Sequence, residues 1–201
     1  LSKNLSEFAD YLTVNISSPN TPNLRDFHQT NNLKQVLISV KNGIVKSKIL
    51  DLQLPIFLKI APDISENDLK QIIETANENN ISGLIISNTT VDRNKELQSD
   101  NLHETGGLSG RPLFNKSTNF LALASKIIKI KKYNLYIIAA GGVSDSTSAY
   151  DNILCGANLV HLYSSVTFYG TLIAENILKG FLQLMNRDKI SSIKDIRGIV
   201  D

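Results

Sequence analysis

The stretch Tyr-Leu-Thr-Val-Asn-Ile-Ser-Ser-Pro-Asn-Thr-Pro, residues 11–22, passes from strand-like to loop-like composition within a few residues. Its first half, Tyr11 to Ile16, is uncharged and rich in aromatic and β-branched residues, with polar groups at Thr13 and Asn15, and this pattern predicts a short buried strand. Its second half contains two prolines, which fix φ and stiffen the turn. The stretch therefore predicts a strand with a polar loop directly at its carboxyl end.

Neutral polar side chains are concentrated at this strand end. Asn15, Ser17, Ser18, Asn20 and Thr21 together offer many hydrogen-bonding groups and no charge. Such an array suits a planar, amide-rich ligand better than a phosphate or a metal ion. The alternative is a turn whose side chains bond only to their own backbone, and the spacing alone does not separate these two interpretations.

The same pattern recurs along the chain. Further apolar runs of strand length occupy residues 56–60, 83–87, 136–140 and 159–163. Apolar residues at helical spacing lie between and after them, and they predict helices at about 33–50, 65–76, 115–128, 146–154 and 172–187. Ser65 and Asp68 resemble a capping box at the start of one of these helices. Successive strand–helix units with continuous apolar strands predict a parallel sheet covered by helices.

A β/α barrel explains this pattern better than an open, doubly wound sheet. No Gly-x-Gly-x-x-Gly follows any predicted strand, so a dinucleotide-binding open sheet has little support. Polar residues instead follow each strand, as expected when an active site is built at the C-terminal face of a barrel. A complete (β/α)8 barrel takes about 250 residues and eight units. We therefore expect residues 1–201 to be the C-terminal part of one barrel domain, with about five units.

Composition excludes several classes of function. The chain is 42% hydrophobic and 20% charged, which is ordinary for a globular protein of 201 residues with a sizeable core. A net charge of +2 is too small to indicate binding to nucleic acid or to an anionic membrane surface. The single cysteine, Cys155, excludes an intrachain disulfide and is expected to serve in packing. No apolar run is long enough to cross a membrane, so the chain is expected to be soluble in character.

Loops after the last two predicted strands indicate a phosphate site. In barrels, phosphate commonly binds at these loops, beside the start of a short helix. Here they contain Gly141-Gly142, followed by a helix starting near Asp145, and Tyr163-Ser164. A third glycine-rich turn, at residues 106–110, could close over the same ligand. An ordinary strand-to-helix turn is the alternative for Gly141-Gly142 alone, but the agreement of both loops with the barrel order favours a phosphate site.

Lys59 is the most informative single charge. It interrupts a strand otherwise made of Ile, Phe, Leu and Ile. A lysine that points into the barrel must meet an anion, because an unpaired buried ammonium is very costly. The alternative is a lysine at a sheet edge with its ammonium in water. An aromatic anionic cofactor, a phosphate and a neutral substrate pocket together indicate an enzyme that uses flavin mononucleotide, FMN.

Six motifs stand in a fixed order along the chain. They are Val-Asn-Ile-Ser-Ser-Pro-Asn-Thr (14–21), Leu-Lys-Ile-Ala-Pro-Asp (58–63), Ser-Asn-Thr-Thr (87–90), Glu-Thr-Gly-Gly-Leu-Ser-Gly (104–110), Ala-Gly-Gly-Val (140–143) and His-Leu-Tyr-Ser (161–164). In this order they resemble the motifs of dihydroorotate dehydrogenases, and the resemblance covers essentially the whole chain. It is closest to class 2, the quinone-linked enzymes, because Ser18 stands where class 1 enzymes have a cysteine as the base.

This resemblance implies a fold, a reaction and a set of site residues. The fold is an FMN-dependent (β/α)8 barrel that oxidises dihydroorotate to orotate in pyrimidine biosynthesis, with FMN as hydride acceptor and a quinone as final electron acceptor. Ser18 would be the general base at C5 of the substrate, and residues 20–28 would form a lid. The substrate-binding residues that it implies are Asn15, Asn20, Asn88 and Thr89. The cofactor-binding residues that it implies are Asn15, Lys59, Ser87, Gly110, Gly142, Tyr163 and Ser164.

The resemblance also implies functions that this chain does not carry. The N-terminal strands of the family would supply further flavin contacts, the quinone site and the membrane contact, which would place the full enzyme at the periphery of an inner membrane. It gives no role to His28, His103 or His161, and His161 is expected to be a packed, hydrogen-bonded residue in mid-strand.

Two alternatives stay open. One is another FMN barrel oxidoreductase, such as a class 1 dihydroorotate or a dihydropyrimidine dehydrogenase, against which Ser18 argues. The other is an inactive fragment that neither closes a barrel nor binds FMN.

Overall fold

A parallel sheet lies at the centre of the structure, a computed structural model that describes residues 1–21, 24, 27, 30–47, 54–93 and 97–200. Within these residues the sheet has five strands: β1 (Leu12–Asn15), β2 (Ile56–Ile60), β3 (Gly83–Ile86), β4 (Tyr136–Ala140) and β5 (Leu159–His161). Each strand pairs in parallel with the next one along the chain. This strand order is that of a β/α barrel, whereas the order of a doubly wound sheet reverses at a switch point. The predicted fold class is confirmed.

Helices connect the strands and pack on one face of the sheet. They are α1 (Ser2–Leu5), α2 (Thr30–Val45), α3 (Glu66–Glu78), α4 (Phe114–Lys131), α5 (Ser146–Leu154), α6 (Ser164–Tyr169), α7 (Ile173–Arg187) and α8 (Ile193–Ile196), with 3-10 turns at Ser6–Phe8 and Arg111–Leu113. α2 ends before the predicted position near residue 50, and residues 48–53 lie outside the described part of the chain. Cys155, after α5, is half-buried and packs against the core, as expected. None of the helices described is both long enough and apolar enough to span a bilayer.

The start of α3 shows how local sequence sets a helix boundary. Ser65 Oγ accepts a hydrogen bond from Asp68 N at 3.1 Å, and Asp68 Oδ2 accepts one from Ser65 N at 3.3 Å. These two bonds satisfy backbone N–H groups that a helix start leaves without partners. The predicted capping box is confirmed. The helix then buries Leu69, Ile72 and Ile73 at the spacing that the sequence shows.

The two faces of the sheet pack differently, because successive side chains of a strand point to opposite sides. Leu58, Leu84 and Ile137 stand side by side in neighbouring strands and belong to the main hydrophobic core under the helices. On the opposite face, Phe57, Ile85 and Ile138 form a separate small cluster. This second face corresponds to the interior of a barrel.

The interior face is open near both edges of the sheet. β1 and β5 are the edge strands. Along β1, Thr13 and Asn15 are exposed, so the prediction that this strand is buried is wrong. The physical reason is that no described strand pairs with its outer side or packs on its interior face. At the other side of the same face, Tyr136 and Leu159 are 52% and 59% exposed.

Candidate functional site

A cavity of about 650 Å³ lies where β2 to β5 end, within the ~300–1,000 Å³ typical of ligand pockets. The ends of these strands and the loops that follow them form its wall, as the barrel rule predicts. Most of the predicted site residues are in this wall: Lys59, Ser87, Asn88, Thr89, Gly110, Gly142, Tyr163 and Ser164. Asn15, Ser18 and Asn20 are outside the wall, at the end of β1 and in the loop that follows it.

Hydrogen bonds join the ends of β1 and β3. Asn88 Nδ2 donates to Ser17 Oγ at 3.0 Å and to Asn15 Oδ1 at 3.3 Å. Asn15 Oδ1 also accepts from Ser17 N and Ser17 Oγ, and Asn88 Oδ1 accepts from Thr89 N at 2.8 Å. Ser17 is fully buried between the two asparagines. The sequence placed Ser17 in the polar array without a role, and the structure makes it the group that orients both amides.

Asn20 lies next to the glycine-rich turn at residues 106–110, and Ser18 contacts Asn20. Ser18 is half-buried, and its Oγ accepts from Asn20 N at 3.3 Å. A Cβ atom on Gly106 would lie 3.4 Å from Asn20 Oδ1. A Cβ atom on Gly107 would collide with Thr89 Oγ1, so glycine at this position allows the turn to pack directly on the end of β3. Most of the predicted lid at 20–28, including His28, lies outside the described residues.

Lys59 points into the cavity from a central strand. It pairs with Asn15 on one side and Ile85 on the other, so the alternative of a lysine at a sheet edge is wrong. Burial lowers the pKa of its ammonium group. No carboxylate of the described residues lies within salt-bridge distance of it. The cavity therefore contains a half-buried lysine that no carboxylate in the described part of the chain neutralises.

His161 is the last residue of β5 and lines the cavity. The prediction that it lies in mid-strand is wrong, because the chain leaves the sheet after His161 and Tyr163 precedes the first turn of α6. Burial, and then the charge of Lys59, lower the pKa of its imidazole. The side chain is therefore expected to be neutral at physiological pH.

The glycine positions predicted for phosphate binding have the backbone geometry that such loops need. Gly110 and Gly142 have φ of 72° and 78°, in the left-handed region that favours glycine. A Cβ on Gly142 would lie 2.6 Å from the backbone of Phe114, whereas a Cβ on Gly110 would meet nothing closer than Pro112 at 3.9 Å. The nearby start of α5 already has an anion, because Asp145 Oδ1 accepts from Ser148 N at 2.8 Å. The positive end of this helix is therefore partly neutralised by Asp145, and it should attract a phosphate less than the sequence predicts.

Several polar residues of the cavity wall were missed by sequence reasoning. Arg111 Nε donates to Ser144 Oγ at 3.2 Å, and its Nη2 donates to the Tyr169 hydroxyl at 2.7 Å. Ser164 Oγ donates to Ser109 Oγ at 3.0 Å. The sequence feature that could have identified Arg111 as a wall residue is its position directly after the glycine-rich turn.

A half-buried carboxylate, Asp63, holds the loop after β3. Asp63 accepts from Thr90 Oγ1, from Val91 N at 3.0 Å and from Lys116 Nζ at 2.7 Å. Thr90 in turn pairs with Leu108 in an antiparallel bridge. This arrangement connects the loop after β3 to the glycine-rich turn.

Comparison with known proteins gives the family. The family model described as "Dihydroorotate dehydrogenase" matches residues 1–185. The chain belongs to the dihydroorotate dehydrogenase family. The resemblance drawn from the six motifs is confirmed.

Individual relatives agree with this assignment. The protein named "Dihydroorotate dehydrogenase (quinone)" from Bartonella tribocorum is 44% identical over 192 residues, which are 95% of this chain and 52% of the relative. The protein of the same name from Agrobacterium fabrum is 42% identical over 190 residues, 94% of this chain and 52% of the relative. A crystal structure of DHODH from Eimeria tenella in complex with ferulenol matches with a TM-score of 0.91 at 33% identity, over 98% of this chain and 56% of that chain. The chain thus spans about half the length of the curated relatives that it matches.

Membership of the dihydroorotate dehydrogenase family implies a flavin cofactor, and the cavity fits one. A flavin has a planar hydrogen-bonding ring and an anionic tail. The wall offers the half-buried Lys59 ammonium, the neutral groups of Asn88 and Thr89, and glycines of positive φ at Gly110 and Gly142. No Asp or Glu of the described residues is part of this wall, so nothing in it repels an anionic tail.

Proposed function

We propose that this chain is part of an enzyme that oxidises dihydroorotate to orotate in pyrimidine biosynthesis, with FMN as the cofactor and a quinone as the final electron acceptor. The single observation that carries the proposal is the cavity itself. It brings an unneutralised, half-buried Lys59 together with the neutral array of Asn88 and Thr89 at one end of a β/α sheet. The names of the quinone-linked relatives support the choice of substrate and acceptor.

The cofactor residues divide by the part of FMN that they would hold. Lys59 would stabilise negative charge at the ring edge, and Ser87 and Asn15 would support the ring. Gly110, Gly142, Tyr163 and Ser164 would donate backbone N–H groups to the phosphate. Bound FMN supplies a two-electron acceptor that side chains cannot provide.

The substrate residues are neutral hydrogen-bonding groups. The amide and carboxylate groups of dihydroorotate are recognised by hydrogen-bond donors and acceptors. Here they would be bound by Asn15, Asn20, Asn88 and Thr89. The Asn15–Ser17–Asn88 contacts support this role, because amides that are oriented before the substrate arrives lose less conformational entropy on binding.

Ser18 Oγ would accept the proton from C5 of the substrate and pass its own proton along a path to solvent. A serine is a weak base, so this role needs a site from which bulk water is excluded. Its half-buried position and its hydrogen bond from Asn20 N support the assignment.

The remaining proposals concern the whole protein. Residues 1–201 would form the C-terminal part of one FMN-binding barrel. The quinone site and the contact with the surface of an inner membrane would belong to segments other than the cavity described here.

Two measurements test the proposed function. Anaerobic addition of dihydroorotate to the purified protein, as the cell produces it, should bleach the flavin absorbance. Reoxidation should then be fast with a soluble ubiquinone and slow with fumarate or NAD. Failure of dihydroorotate to bleach the flavin would refute the substrate, whereas rapid reoxidation by fumarate or NAD alone would indicate a class 1 enzyme.

A further inference from the structure

Arg111 adds an uncommitted positive charge to the cavity. Its side chain lines the wall beside the glycine-rich turn at residues 106–110. No carboxylate of the described residues lies within salt-bridge distance of its guanidinium. Its guanidinium donates hydrogen bonds to Ser144 Oγ and to the Tyr169 hydroxyl, and both acceptors are neutral. Neutral acceptors orient a guanidinium without cancelling its charge, so Arg111 remains able to bind an anion.

The contacts of Arg111 join the loops of three strands. Arg111 follows β3, Ser144 follows β4, and Tyr169 ends the helix after β5. The Tyr169 ring also lies 5.9 Å from the guanidinium carbon, close enough for a cation–π contact. The guanidinium is therefore held on two sides, among the loops that carry Gly110, Gly142 and Ser164.

One acidic group that feels the charge of Arg111, Asp145, is already engaged in another role. Asp145 caps α5 by accepting from Ser148 N. Burial would raise the pKa of this carboxyl, but the hydrogen bonds from Ser148 and the charge of Arg111 lower it. Arg111 thus influences Asp145 from a distance, beyond direct ion pairing.

We propose that Arg111 is the residue by which this cavity recognises a phosphate. Its guanidinium would bind the terminal phosphate of FMN, adding a charge-assisted bond to the backbone donors of the glycine turns. The site would then discriminate FMN from riboflavin, which has the same ring and no phosphate. This inference rests on the proposed flavin function and goes beyond it, because it assigns the selectivity for the phosphorylated form to one side chain.

Equilibrium binding of FMN and riboflavin to the flavin-depleted protein, purified as the cell produces it, tests the proposal, with quenching of flavin fluorescence as the readout. Arg111→Gln keeps hydrogen-bonding capacity and removes the charge. It should weaken FMN binding by roughly 10- to 100-fold, the loss expected for a charge-assisted hydrogen bond, and change riboflavin binding less than about twofold. Arg111→Lys should restore part of the FMN affinity, and Tyr169→Phe should cause a smaller loss that is again confined to FMN. Arg197→Gln, at an exposed arginine outside the wall, is the matched control and should change neither affinity.

The other outcomes would contradict the role of Arg111, the recognition of phosphate or the proposed function. Equal losses of FMN and riboflavin in Arg111→Gln would make Arg111 a tether of the loops and overturn its role in phosphate recognition. Unchanged FMN affinity in that variant would also overturn it. Equal affinities for FMN and riboflavin in the unmodified protein would reject phosphate recognition and leave flavin binding standing. Failure of the unmodified protein to bind either flavin would refute the proposed function itself.

Discussion

Among single residues, Ser18 is the one assigned the transfer of a proton. Its hydroxyl accepts a hydrogen bond from Asn20 N, and Ser18 is not part of the cavity wall that the described residues form. Ser18→Ala should therefore leave flavin affinity unchanged while dihydroorotate-driven flavin reduction slows by roughly 10²–10⁴-fold, as for a lost acid–base group. Stopped-flow absorbance of the flavin measures this rate. An unchanged rate would remove Ser18 from the mechanism.

Two further serine variants sharpen this prediction. Ser18→Cys should keep part of the activity, most of it at higher pH, because a thiol with a pKa of about 8.5 must ionise to act as a base. Ser39→Ala is the control, since this hydroxyl bonds to Gln35 O on an exposed part of α2. It should leave the reduction rate and its pH dependence as in the unmodified protein.

Burial of the Lys59 ammonium lowers the stability of the folded protein, although the same charge would help to bind the cofactor. Its pKa is lowered in the folded state, so the unfolded chain binds more protons between that lowered value and 10.5. The free energy of unfolding should rise with pH in this window, and below it the full cost of burying the charge is present.

Lys59→Met should thus raise the melting temperature of the flavin-free protein near neutral pH, by a few degrees at most, while it weakens FMN binding. Thermal scans and flavin titrations check both effects, with exposed Lys126→Met as control. Native FMN affinity in Lys59→Met would contradict the role of Lys59.

The pKa of the His161 imidazole depends on the charge of Lys59, and it can be measured without any ligand. Burial and the ammonium of Lys59 both lower the pKa of its imidazole. Lys59→Met removes the electrostatic part and leaves the burial, so the His161 pKa should rise and still stay below 6.5. An NMR titration of the imidazole Cε1–H in both proteins measures the change. No change would show that the two side chains do not interact across the cavity.

At the scale of elements, the loop after β3 depends on Asp63. Burial would raise the pKa of this carboxyl, but hydrogen bonds from Lys116, Thr90 and Val91 N outweigh burial and lower it. Its stabilising effect is therefore present above the ordinary value of 3.8 and is lost as pH falls through the lowered folded value.

Replacing Asp63 by Asn tests this anchor. The variant should lower the free energy of unfolding at neutral pH by about 1–3 kcal/mol, because hydrogen bonds to a charged group are lost. Stability should also decline less steeply with acid than in the unmodified protein. Denaturant titrations at several pH values measure both quantities, with Asp100→Asn on the exposed part of the loop as control. An equal decline with acid in both proteins would show that Asp63 does not hold the loop.

For the whole molecule, the open interior face predicts how residues 1–201 behave when expressed alone. β1 and β5 have unpaired edges among the described residues, and exposed strand edges promote aggregation. We expect this polypeptide to be poorly soluble, to retain no FMN and to be inactive as an oxidoreductase. Co-expression with a segment of a relative that supplies the remaining β/α units should restore solubility. A yellow, monomeric protein of residues 1–201 that oxidises dihydroorotate unaided would contradict this.

Surface substitutions identify which face causes the aggregation. Tyr136→Lys combined with Leu159→Lys places charges on the open interior face and should raise the soluble fraction of residues 1–201. Ile130→Lys is the matched control, because Ile130 is 69% exposed and lies on α4. Equal gains from both changes would show that general surface hydrophobicity, rather than the open face, limits solubility.

Local patterns were sufficient to predict the class of fold and much of the site. Apolar runs of strand length, helical spacing and the capping box at Ser65 each act over a few residues, so they can be recognised without the tertiary structure. The barrel rule then placed Lys59, Asn88 and Gly142 at one end of the sheet. The motifs gave the family, because ordered motifs along a chain carry more information than any one of them.

Tertiary structure was needed wherever a residue's role depends on distant neighbours. The hydrogen bonds of Arg111 reach Ser144 and Tyr169, which lie 33 and 58 residues away in sequence, so no local pattern predicts them. His161 enters the cavity only because the chain leaves the sheet after it. β1 has the composition of a buried strand but is exposed at Thr13 and Asn15, because burial depends on which strands pair with it. Composition sets the tendency of a segment, whereas its burial and its contacts depend on the elements that pack around it.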